Sequence, residues 1–150
     1  MEKTMVLMIG IPASGKSTFY QNKLSKDYVR VNLDTLKTRE REYELISKCF
    51  YEGKSFVIDD TNVIRQLRQI FIVMAQLNHY RVVGYFMRSR VQECVSRNRQ
   101  RTGEARVPDT AIANMSNKLQ QPRWDEGFDE LYYVEIKDGD YVISEWREDK

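Results

Sequence analysis

Thr4-Met-Val-Leu-Met-Ile9 runs straight into Gly10-Ile-Pro-Ala-Ser-Gly15-Lys16-Ser17-Thr18, and this junction decides the fold. The first six residues form a short apolar run, the pattern of a strand buried on both faces. The next eight fit G-x-x-x-x-G-K-[ST] without a mismatch, and helical sequence continues to about Leu24. Strand, glycine-rich turn and helix together are the context in which that spacing has a physical meaning. Glycines let successive backbone amides turn inward around phosphate oxygens. The N-terminus of the following helix adds partial positive charge. Lys16 then reaches the β- and γ-phosphates, and the Ser17 hydroxyl can ligate Mg²⁺. The expected nucleotide-binding residues are therefore Gly10, Ala13, Ser14, Gly15, Lys16, Ser17 and Thr18. The motif itself does not name the acceptor.

Outward from this loop, strands and helices alternate. Tyr28–Asn32 alternates as a strand does, and Thr35 to about Glu52 reads as a charged helix closed by Gly53. Ser55–Ile58 is the next strand. Asn62 to Leu77 carries Val63, Ile64, Leu67, Ile70, Phe71, Met74 and Leu77 on one helical face. Arg81–Met87 is a fourth strand. Ser89 and Gln92 have the spacing of a capping box for a helix reaching about Gln100. A polar loop, Thr102–Val107, precedes a helix opened by Pro108 and running to about Leu119. Leu131–Ile136 is a fifth strand, and Tyr141–Trp146 returns after Asp138-Gly139-Asp140 as a hairpin partner. The expected class is a three-layer α/β P-loop fold, with a mostly parallel five-stranded sheet and helices on both faces. At 150 residues, 41% of them apolar, residues 1–150 are expected to form one domain.

Composition excludes several chemistries. Cys49 and Cys94 match no zinc or redox spacing, and His79 is the only histidine. A structural zinc site or a His-based hydrolase has little to build on. His79 falls on a helix-to-strand turn and reads as a loop residue. No apolar run reaches the length of a membrane span, and the N-terminus lacks a signal-peptide pattern. A reducing, cytoplasmic setting is the default expectation.

In an open α/β sheet, ligands sit beyond the carboxyl ends of the strands. Asp34 lies there after the second strand, and Asp59 and Asp60 after the third. Such an acid can hold Mg²⁺ or take the proton of an attacking hydroxyl. Asp34 equally suits the cap of the helix that begins near Thr35, and Asp60 and Asn62 suit caps of the helix after them. The near-neutral net charge of +2 hides an asymmetry. Seven arginines between Arg81 and Arg106 face only Glu93 and Glu104, whereas Trp124–Lys150 carries five Asp and five Glu against three cations. Guanidinium groups suit phosphate oxygens.

The order VLMIGIPASGKST, VNLDTLK, VIDDTN and RNRQR resembles the 5′-kinase domain of phage-type and eukaryotic polynucleotide kinases. The resemblance spans about residues 4–136. It implies a nucleotide-kinase-like fold, ATP and Mg²⁺ as cofactors, and the 5′-hydroxyl of DNA or RNA as acceptor. Asp34 matches the general base. Lys37 stands where the phage enzyme has an arginine that contacts an acceptor phosphate. Arg101 matches a lid arginine on the transferring phosphate, with Arg97 as its support, in a lid spanning about residues 97–107. Asp59, Asp60, Thr61 and Asn62 match the acceptor-side D-T-N segment, and Ser17 with Asp59 is the expected metal pair. Leu33 stands where the pattern has an arginine, which leaves a small-molecule hydroxyl open as the alternative acceptor.

Overall fold

The computed structural model describes residues 2–148. Asp149 and Lys150, counted above in the acidic stretch, lie outside the described residues. The chain folds as β1 (Thr4–Ile9), α1 (Lys16–Phe19), β2 (Val29–Val31), α2 (Leu33–Leu36), α3 (Arg39–Glu52), β3 (Phe56–Ile58), α4 (Arg65–Leu77), β4 (Arg81–Met87), α5 (Val91–Asn98), α6 (Asp109–Lys118), β5 (Glu130–Lys137) and β6 (Asp140–Glu145). Helix α1 continues through a wider π-type turn over Tyr20–Leu24. Short 3₁₀ turns occupy Gly103–Ala105 and Trp124–Glu126.

The strands form one sheet in the order β2-β3-β1-β4-β5-β6. The first five pair in parallel, and β6 pairs antiparallel with β5. The sheet thus has six strands rather than five. The turn at Asp138–Gly139, both at positive φ, folds the acidic C-terminal stretch back as an added edge strand. Central β1 is buried at every position, and it delivers the glycine loop to the middle of the sheet's carboxyl edge.

Three apolar layers hold this arrangement. Met5, Leu7, Ile9 and Phe56 of the sheet pack with Ile46 of α3 and with Phe71 and Ile72 of α4. Val6, Met8, Val83 and Met87 pack on the opposite face against Phe19, Tyr20 and Leu24. Ile11, Ala13, Cys94 and Ile112 join the glycine loop to α5 and α6. Both cysteines are buried free thiols. Buried Arg68 on α4 grips Glu126 through two hydrogen bonds of 2.8 and 3.0 Å and donates a third, of 2.8 Å, to the carbonyl of Asn62. Among the described residues, no helix is long and apolar enough to cross a membrane.

Four local expectations are corrected. The helix expected from Thr35 is broken: α2 ends at Leu36, Lys37 takes a positive φ of 79°, and α3 starts afresh after Thr38, whose side chain caps it. The helix expected from Asn62 begins only at Arg65, because Asn62 itself sits at φ 47°. The capping box at Ser89 is not formed. Arg90 precedes α5 without a side-chain cap, and the Ser89 hydroxyl donates to the Met87 carbonyl and accepts the Ile11 amide. Pro108 stands just before α6 rather than within it, and α6 ends at Lys118.

Candidate active site

The loop Gly10–Ser17 closes over the end of β1. Ala13 and Gly15 both take positive φ, which turns the intervening amides to one side. A side chain at Gly10 would meet the Ser14 hydroxyl at 2.5 Å, so Ser14 would have to shift to admit one. The Gly10 amide donates to the Thr61 carbonyl, tying the loop to the end of β3. Lys16 is buried, and its Nζ donates to the carbonyls of Gly10 and Ile11 at 3.0 and 2.9 Å. Burial lowers its pKa to about 8, against the opposing pull of Asp59. An ammonium held in a ring of carbonyls and short of compensating charge is primed for an anionic ligand.

Ser17 and Asp59 are brought together. The Ser17 hydroxyl donates to Asp59 Oδ2 at 3.1 Å, and Arg30 Nε donates to the same oxygen at 2.7 Å. Asp59 is buried, and its Oδ1 has no hydrogen-bond partner. A hydroxyl beside a buried carboxylate with one unpaired oxygen is a hard-oxygen donor set, and it fits Mg²⁺, which keeps its remaining positions for water and phosphate. Thr18 follows in the same first helical turn, exposed.

Asp34 stands exposed in the first turn of α2, immediately beyond β2. It is not the cap of that helix: Asn32 is, accepting the Thr35 amide at 3.0 Å. The Asn32 amide group donates to the Asp59 carbonyl at 2.6 Å, and Asp60 Oδ1 accepts the Leu33 amide at 2.8 Å. Both bonds anchor the turn that carries Asp34 to the end of β3. Asp60 therefore acts on α2, not as a cap for α4. Glu42, fully buried on α3, lies against Asp60, and Arg39 reaches both carboxyls, at 2.5 and 3.5 Å. Burial and the neighbouring Glu42 push Asp60 up to about 8. Glu42, Arg39 and Arg30 carry no motif, and only their partners reveal them. Lys37 is exposed at the end of α2.

Asn62 is fully buried, and its amide donates to the Met8 carbonyl at 2.7 Å, which pins the loop to β1. Thr61 is half-buried and contributes its carbonyl to Gly10.

Arg97 projects from α5 to the glycine loop, where its Nη1 donates to the Ala13 carbonyl at 3.1 Å. Arg101 donates to Ala105 across the following turn, and its charge reaches Lys16. Residues 99–106 form an exposed loop whose two ends are clasped by one side chain. Fully buried Asn98 donates to the Val107 carbonyl at 2.6 Å and accepts its amide at 3.0 Å. The structure thus gathers Lys16, Ser17, Asp59, Arg97 and Arg101 around one loop and sets Asp34 at the neighbouring strand end.

The chain is similar to known proteins in sequence and in fold. The chain is 28% identical over 151 residues to the bifunctional polynucleotide phosphatase/kinase of Schizosaccharomyces pombe; the match covers 96% of this chain and 37% of that protein. The chain thus spans little more than a third of that relative's length. Kti12 of Chaetomium thermophilum, solved with ADP-AlF3, superposes with a TM-score of 0.63 at 15% identity, covering 89% of this chain and 90% of that one. A gluconokinase of Sinorhizobium meliloti superposes with a TM-score of 0.60 at 15% identity, covering 89% and 82%. These two likenesses establish the P-loop kinase-like fold. Residues 5–122 match the AAA domain family, a span that takes in the glycine loop, Asp34, Asp59, Arg97 and Arg101, and the chain belongs to that family.

Proposed function

We propose that this chain is an ATP- and Mg²⁺-dependent kinase that moves the γ-phosphate of ATP onto the 5′-hydroxyl of a DNA or RNA end. The observation that carries this reading is the match, along 96% of the chain, to a protein named for polynucleotide phosphatase and kinase activities. Within it, each residue has a physical task. Lys16 exchanges the carbonyls of Gly10 and Ile11 for oxygens of the β- and γ-phosphates. The amides of the glycine loop hold the same phosphates. Ser17 and Asp59 would hold Mg²⁺, which would supply positive charge against the phosphates. Asp34 accepts the proton of the 5′-hydroxyl as its oxygen forms the new bond to phosphorus and ADP departs. Arg97 and Arg101 set positive charge beside the phosphoryl group in transit, and the 99–106 loop closes over the nucleotide to limit attack by water. Lys37 offers a point charge to a phosphate of the acceptor.

A second reading, transfer to a small-molecule hydroxyl, is favoured by one specific observation. Arg81 and Arg88, in the basic segment, are already ion-paired with Glu130 and Glu135 of β5. The surface free to meet a polyanion is smaller than the arginine count suggests. An acceptor panel separates the two readings: 5′-hydroxyl DNA and RNA oligonucleotides with 3′-hydroxyl or 3′-phosphate ends, nucleosides, and sugars or sugar acids, each with labelled ATP. Label on the oligonucleotides supports the first. Label on small hydroxyls alone rejects it in favour of the second.

A further inference from the structure

Arg30 sits on β2, an edge strand hydrogen-bonded only to β3. The alternation of Tyr28–Asn32 gives it nothing beyond a strand position. In the fold its side chain reaches past the sheet edge into the centre of the site. Its Nε donates to Asp59 Oδ2 at 2.7 Å, and its Nη2 donates to Ser17 Oγ at 2.9 Å. Ser17 Oγ in turn donates to the same Oδ2. The guanidinium therefore closes a ring with the two groups assigned to the metal.

The charges explain why it is there. Asp59 is 1% exposed, and a carboxylate that deep is costly without a cation beside it. Lys16 is turned away, its Nζ bonded to the carbonyls of Gly10 and Ile11. Arg30 is thus the cation in direct contact with Asp59. The pairing is one-sided. A guanidinium fork commonly takes both carboxylate oxygens, whereas here Oδ2 is used and Oδ1 is left without a partner. Ser17 keeps a lone pair as well, since a hydroxyl offers two and Arg30 occupies one. Burial is also one-sided: the Arg30 side chain is 29% exposed. The arginine has a route into water, and the carboxylate has none.

We propose that Arg30 is a positioning residue that acts as the resident cation of the metal seat. In the nucleotide-free protein it holds Asp59 Oδ2 and Ser17 Oγ together in one hydrogen-bonded ring. It swings outward when a divalent cation is taken up, because two cations in contact with one carboxylate repel each other and the arginine is the one with a route into water. Arg30 and the metal therefore compete, and part of the affinity for the metal is spent on displacing the guanidinium. This inference rests on the reading that Ser17 and Asp59 hold Mg²⁺.

The test is a titration of Mn²⁺ into the nucleotide-free full chain, followed by electron paramagnetic resonance of the free ion, for wild type, Arg30→Gln and Arg30→Lys. Each protein is also melted in EDTA and in Mn²⁺. Arg30→Gln is expected to bind Mn²⁺ roughly tenfold tighter or more, the order expected from removing one unit charge at contact distance. Its melting temperature is expected to fall in EDTA and to rise further than wild type on adding Mn²⁺. Arg30→Lys, which keeps the charge but loses the fork, is expected between the two. Equal or weaker Mn²⁺ binding by Arg30→Gln overturns the inference and makes Arg30 a fixed support of Asp59. So does the absence of Mn²⁺ binding in all three proteins. If Arg30→Gln does not fold in EDTA, Arg30→Lys decides alone, and it must still bind tighter than wild type. The acceptor panel is run separately on wild type, so a failed phosphate transfer with the Mn²⁺ effect intact rejects only the proposed function.

Discussion

Under the proposed function, Asp34 and Lys16 divide the work at the residue scale between proton transfer and nucleotide binding. Asp34 is exposed and takes no part in capping α2, so removing it leaves the local fold in place. Asp34→Ala is expected to lower phosphate transfer roughly 10²–10⁴-fold, the usual worth of a positioned base, with ATP affinity within a few-fold of wild type. Parallel kinetics and nucleotide-binding measurements check this, and a collapse of ATP binding would make Asp34 a structural residue. Lys16 gives a pH signature. Burial brings its pKa to about 8, so the free protein loses this proton as pH rises through that value. The triphosphate needs the ammonium, so its affinity is expected to fall above about pH 8 and to level off below it. Calorimetry of ATP binding from pH 7 to pH 9.5 reads this directly; an affinity that does not change across that range counts against a titrating Lys16.

At the scale of elements, the turn carrying Asp34 and the loop carrying Arg101 are both held by side chains rather than by secondary structure. Helix α2 is four residues long and has no buried residue of its own. It is held by Asn32 and Asp60, which reach it from β2 and from the end of β3. The 99–106 loop depends on Asn98, which satisfies both polar groups of Val107 from a fully buried position. Asn98→Ala is expected to cost about 1–3 kcal/mol, since it leaves two backbone groups without a partner. It is also expected to raise ATP hydrolysis in the absence of acceptor, because a loosened loop admits water. Denaturant unfolding and an acceptor-free ATPase assay read the two effects, and unchanged hydrolysis would separate the loop from nucleotide enclosure.

The whole molecule is tied together by ion pairs between distant parts of the chain. Arg68 and Glu126 are 58 positions apart and form a buried two-bond pair that docks α4 against the turn leading to β5. Removing one partner strands the other charge. Arg68→Met is expected to cost about 3–5 kcal/mol, read as a lower urea midpoint with an unchanged slope. Adding Glu126→Leu to it is expected to recover much of the loss, because the stranded carboxylate is then gone. The opposite charges of the arginine-rich segment and the acidic tail are reconciled at this scale too. With β4 and β5 parallel, Arg81 reaches Glu130 and Arg88, just past β4, reaches Glu135, so two of the arginines are paired with the acidic stretch.

The sequence by itself determined the features that are complete within one contiguous stretch. Gly10–Ser17 follows its own strand and leads into its own helix, and the positive φ of Ala13 and Gly15 is set within the loop. The strand-and-helix alternation was equally legible, because apolar periodicity reports burial one element at a time. Tertiary structure alone decided what depends on distant partners. The capping of α2 by Asn32 rather than Asp34 follows from where β3 ends. Ser89 turns from a helix cap into a tether for Ile11 because β1 and β4 are neighbours. Asn62 pins its loop to β1 because the Met8 carbonyl lies beneath it. Arg30 joins the site because β2 lies next to β3, which brings three side chains from positions 17, 30 and 59 into hydrogen-bonding contact. A side chain's partners are fixed by strand order and register, and these are set by the packing of the whole core. Local pattern therefore read the nucleotide loop, and only the assembled sheet showed which groups share its charge.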